Sequence, residues 1–153
     1  IIGQDLVRNK FQSQDQIFKF KSDCLKQRDL IHRTIIIQNI TDLQIFPYYN
    51  ITANLTAISR TLDYMYNYLK KNKIVKPNLK LLQLTRSLFE KLFSSIQGDF
   101  NYSLHDEEKR ITDEINKELA KGKDSTIAAY CLRITPFIQN CNSPLTMIKI
   151  NSN

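Results

Sequence analysis

The chain has 153 residues, 42% hydrophobic and 24% charged, with three Gly, four Pro and no Trp. That is the size and balance of one globular domain that needs no disulfide or metal scaffold to fold, and no apolar run nears the roughly 20 residues of a membrane span. The net charge of +7 is lopsided: residues 1–76 hold 12 basic and 6 acidic side chains, and residues 77–153 hold 10 and 9.

Scarce glycine means few tight hairpins and favours helices joined by polar loops. Residues 1–12 show no clear period and read as an extended arm. Ser13 and Gln16 form a capping-box pair, and Ile17, Phe20, Cys24 and Ile31 then fall near one helical face; alternation of Phe18 and Phe20 with Lys19 and Lys21 is the competing strand signal. Residues 34–46 carry five Ile and two Thr, β-branched residues that predict a strand or an extended crossing segment closed by Pro47. Leu55, Ile58, Leu62, Met65 and Leu69 follow at spacings of 3, 4, 3 and 4, a helix seam capped by Asn50 or Thr52. Tyr64, Tyr66 and Tyr68 flank that seam as a candidate partner surface. Lys70, Lys71, Lys73, Lys76 and Lys80 end the helix and are a candidate polyanion patch, although they lack the aromatic interleaving of base-stacking surfaces.

Leu79 to Ile96 is apolar over more than half its circumference and ends at Gly98, where a left-handed C-cap fits. Ser103 and Asp106 start a narrow-striped surface helix through Ile111, Ile115 and Leu119, closed by Gly122. Ser125 caps a buried helix from Thr126 to Thr135, which Pro136 stops or kinks. Residues 143–153 read as a terminal strand or a tail. The sum is a single mostly-α domain over residues 1–153, a four- to five-helix bundle with at most two or three short strands. The alternative is an α+β, winged-helix-like fold with residues 85–104 as recognition helix and wing.

No phosphate loop, dinucleotide fingerprint, nucleophile elbow or zinc-protease motif is present. Cys24 and His32 would lie about 12 Å apart along a helix, too far for a nucleophile–base pair. Two histidines are too few for a usual zinc cluster, and Asp106, Glu107, Glu108, Asp113, Glu114 and Glu118 read as a solvated face. No catalytic, metal or cofactor residue is assigned. Four Asn-x-Ser/Thr triplets, at Asn39, Asn50, Asn54 and Asn101, are candidate glycosylation sites where composition gives about 1.7 by chance. The start at Ile1-Ile2-Gly3 without Met reads as a processed chain or a fragment. Three cysteines fit either a reduced protein with three buried thiols or an exported one with a single disulfide and a spare thiol, in which Cys131 or Cys141 would pair with Cys24. These features imply a secreted glycoprotein ligand that meets a receptor through exposed helix faces, an architecture shared by fold-level analogy with helical cytokines. The alternative is an intracellular, nuclear or cytoplasmic subunit of a nucleic-acid-handling assembly, acting through protein contacts.

Overall fold

The computed structural model describes residues 2–73, 79–94, 105–121 and 126–150. They form five α-helices: α1 (Ile2–Ile37), α2 (Phe46–Lys71), α3 (Leu79–Ser94), α4 (His105–Ala120) and α5 (Thr126–Leu145). A short 3-10 turn, Asp42–Ile45, precedes α2, and no strand occurs among the described residues. The protein is therefore a mostly-α helical bundle.

Helix α1 does not start at Ser13; residues 2–12, expected to be an arm, continue it. The expected strand over residues 34–46 is also absent, because burial outweighs β-branched propensity there. Ile31 and Thr34 reach the core, Ile35 packs against it, and the Thr34 hydroxyl donates to the Leu30 carbonyl at 2.8 Å. A Schellman motif then closes α1. Asn39 takes the left-handed position at φ 51°, its N–H donates to Ile36 and that of Ile40 to Ile35, and Ile35 and Ile40 both rest on the core.

The seam Leu55, Ile58, Leu62, Met65 and Leu69 is buried throughout. Helix α2 begins nine residues before Leu55, with Pro47 in its first turn where a missing N–H costs nothing. Lys21 of α1 pairs with Asp63 of α2 at 2.7 Å, and Arg28 donates to Thr56 at 3.3 Å, so α1 and α2 run antiparallel. Tyr68 meets Tyr130 near one end of α5, whereas the Tyr48 hydroxyl lies 3.3 Å from Lys149 N beyond the other, so α2 and α5 are antiparallel too. Residues 146–150 thus lie against the start of α2 and form no terminal strand.

Helix α3 contributes Leu81, Leu82, Leu88, Phe89, Leu92 and Phe93 to the core. With five helices and no strand among the described residues, the fold is the mostly-α bundle and not the α+β winged-helix-like alternative; residues 95–104, the wing of that alternative, lie outside the described residues. Helix α4 buries only a narrow stripe that includes Ile111 and Ile115. Pro136 does not stop α5: the helix continues nine residues further. Leu132 and Pro136 are both exposed, so water can satisfy the Leu132 carbonyl that a proline cannot serve. Gly98, Ser103, Gly122 and Ser125, expected at helix ends, lie outside the described residues.

Candidate partner-binding surface

Residues four apart on a helix share a face, and residues two apart do not. Tyr64 and Tyr68 therefore stand together, 60% and 37% exposed. Tyr66 turns toward α1, half-buried, with its ring 5.0 Å from that of Phe18. From α5, Tyr130 meets Tyr68 edge-on at 6.2 Å. The Arg133 guanidinium lies 5.5 Å from the Tyr130 ring centre, within cation–π range. Thr126 donates to the Tyr68 hydroxyl at 3.5 Å. The result is a ridge of three tyrosines and one arginine drawn from two antiparallel helices. Of the three tyrosines grouped from sequence, two share this face and Tyr66 does not; Tyr130 and Arg133 were not assigned from sequence, and the signal was their spacing with Thr126 at i, i+4 and i+7.

Lys70 and Lys71 are exposed in the last turn of α2, two and three residues after Tyr68, and Lys73 follows, exposed at φ 50°. Lys80 is exposed at the start of α3, and Lys76 lies outside the described residues. Lys70, Lys71 and Lys73, at the end of α2, therefore border one end of the aromatic ridge.

The opposite end of the bundle is apolar. Ile36 and Ile37 in the last turn of α1, Leu43 in the 3-10 turn, Phe46 and Tyr49 at the start of α2, and Met147 after α5 are all exposed. An open groove of about 830 Å³ lies there, with Phe46, Tyr49, Asn50 and Met147 on its walls. Three of the four glycosylation triplets belong to this end. Asn39 and Thr41 are exposed in the α1–α2 connection, and Thr41 has extended backbone. Asn50 is exposed on α2, but Thr52 of its triplet is buried and donates to the Tyr49 carbonyl at 2.9 Å. Asn54 is buried, and its Nδ2 donates to both the Asn50 carbonyl and Oδ1, at 2.9 and 2.8 Å. Asn101 lies outside the described residues.

The candidate disulfide is not formed: Cys24, Cys131 and Cys141 are buried free thiols. Cys131 and Cys141 share α5, ten residues and so about 15 Å apart, and cannot reach each other. The Cys141 thiol donates to the Phe137 carbonyl of its own helix at 3.4 Å, and Cys131 faces Thr85 of α3. Burial pushes the Cys131 thiol up to about 11, with the Thr85 hydrogen bond pulling the other way. Burial pushes Cys141 up to about 12. Cys24 is driven higher still by burial and then by the Asp23 charge. All three are protonated at neutral pH, which denies them thiolate reactivity. His32 is exposed on α1, on a different face from buried Cys24. Among the described residues no cluster of His, Cys, Asp and Glu has metal-ligand geometry, and no helix is long and apolar enough to cross a membrane.

Comparison with known family models, curated proteins and solved structures finds no match to this chain.

Proposed function

We propose that the chain acts without catalysis, as a secreted helical-bundle glycoprotein ligand that meets a protein receptor through exposed helix faces. The observation that carries this reading is the ridge of Tyr64, Tyr68, Tyr130 and Arg133. Tyrosine and arginine dominate binding hot spots because each offers a large apolar face together with a polar handle. Their mutual contacts hold the rings in place before any partner arrives, which lowers the entropy cost of association. Lys70, Lys71 and Lys73 beside the ridge suit a receptor with acidic groups around an aromatic-accepting surface, and they speed encounter with it.

The test is binding of labelled protein to intact cells of the source species. Saturable binding should weaken about 30-fold, or about 2 kcal/mol, when Tyr64 and Tyr68 are both replaced by Ala. Tyr49→Ala at the far end should leave it unchanged. Equal affinity of the double variant and the parent would overturn the reading.

A second reading, an intracellular subunit working through protein contacts, draws support from one observation: three buried, unpaired thiols suit a reducing compartment. Fractionation of the source material separates the two: the ligand reading expects the chain outside the cells, and the second reading expects it in the cell lysate bound to a partner subunit.

A further inference from the structure

The exposed apolar end of the bundle has an occupant encoded in the chain itself. The geometry points to an N-linked glycan on Asn39 that lies over Ile36, Ile37 and Leu43, with Asn54 left unmodified. This rests on the secreted-ligand reading, because only the export route supplies the lipid-linked oligosaccharide donor.

Asn39 is the described triplet in which both ends of the motif are available. Its side chain is exposed, it sits in a connection rather than a helix, and the Thr41 hydroxyl beyond it is exposed on extended backbone. The left-handed backbone of Asn39 is set by the Schellman closure of α1, and asparagine tolerates it better than most residues. In the other two triplets the hydroxyls are engaged: Thr52 with Tyr49, and Thr56 with the Thr52 carbonyl at 2.9 Å. Asn54 is excluded further, since its Nδ2 is buried and spends both hydrogens on Asn50. A glycan requires a surface position in the finished fold.

What the glycan would cover is equally specific. Ile36 is 77% exposed and Leu43 78%, and Ile37 stands beside them. All three lie within four residues of Asn39. Large apolar side chains left this exposed, and grouped this closely around one motif, point to something that belongs on top of them. A sugar ring presents a hydrocarbon face as well as hydroxyls, so the first N-acetylglucosamine can rest on the isoleucines while its polar rim stays wet.

In the modification, Asn39 Nδ2 displaces a lipid-linked diphosphate from C1 of the N-acetylglucosamine of a preassembled oligosaccharide. The C1–N bond forms, the C1–O bond to the diphosphate breaks, and one amide proton passes to a base of the transferase.

The experiment uses the chain purified from its native source. Enzymatic release of N-glycans in ¹⁸O water converts each formerly modified Asn to ¹⁸O-labelled Asp, and peptide mass mapping locates it. Label at residue 39 and none at residue 54 is the expected result. An extracellular chain with unlabelled Asn39 overturns this inference and leaves the ligand reading standing, as does label at Asn54. A chain found inside cells with no label anywhere overturns both. For the covering role, Thr41→Ala removes the motif without disturbing the left-handed Asn39. Passed through a eukaryotic secretory route, it should lose one glycan mass and bind roughly two-fold or more of a hydrophobic dye such as ANS. Unchanged dye binding would mean that the sugar does not lie on the isoleucines.

Discussion

Phe20 shows how much of the stability of this bundle is carried by single side chains. It is fully buried on α1, with its ring 5.4 Å from Phe89 of α3, which in turn stacks on Phe93 at 4.5 Å. Such a chain of aromatic contacts adds to the gain from burial alone. Phe20→Ala should cost about 3–5 kcal/mol, read as a fall in melting temperature of roughly 10 °C for a domain of this size. A loss below about 1 kcal/mol would mean that α3 closes the cavity by moving. The ion pairs are a weaker kind of support. Lys21–Asp63 and Arg86–Asp23 are partly exposed, and each is worth under about 1 kcal/mol; they fix register more than they stabilise. The tyrosines were legible at this scale only as a cluster. That Tyr66 leaves it for Phe18 follows from helical period, but that Tyr130 joins it depends on which helix lies beside α2, and one-dimensional spacing does not contain that.

At the scale of the element, helices with a strong apolar period were readable and helix ends were not. The seam of α2 and the broad face of α3 were legible because burial and period agree. Residues 34–46 misled because β-branched residues disfavour a helix by only tenths of a kcal/mol each. Burying Ile31 and Thr34 and half-burying Ile35 recovers more than that. Pro136 misled for a related reason: a proline penalty can be absorbed when the helix on either side is well packed. Ile134, Thr135 and Ile138, which bracket Pro136, are all buried. The penalty should still be present as unrealised stability. Pro136→Ala restores an N–H at an exposed position and should stabilise the chain by about 1–3 kcal/mol. The check is a higher denaturant midpoint with an unchanged slope. A destabilised variant would show that α5 depends on the bend that a proline imposes.

For the whole molecule, the buried thiols tie stability to pH. An unfolded cysteine ionises near 9.0, whereas Cys131 and Cys141 in the fold ionise near 11 and 12. Between those values the native state holds protons that the unfolded chain has released, so stability is fully present below about pH 9 and falls as pH rises toward the folded values. Each thiol should remove about 2 kcal/mol between pH 8 and 10.5. Urea midpoints at the two pH values measure the drop, and Cys131→Ala should make it smaller. An equal drop in the variant would assign the loss to lysine and tyrosine titration instead. The molecule is also polar along its length. Asn50 and Tyr68 are eighteen residues apart on α2, about 27 Å, which sets the proposed sugar-bearing end well away from the ridge of tyrosines.

Five threonines inside the helices, Thr34, Thr56, Thr61, Thr85 and Thr135, each turn the hydroxyl back onto the carbonyl four residues earlier. None of these hydroxyls needs a neighbouring helix to take its proton, although Thr56 also accepts from Arg28 of α1 and Thr85 meets Cys131 of α5. The contacts between helices therefore ask mainly for volume and shape, and cores of that kind accept exchange of one apolar residue for another of similar size. A lineage built on this plan can replace most of its interior, one side chain at a time, and still present the same outline to whatever it meets.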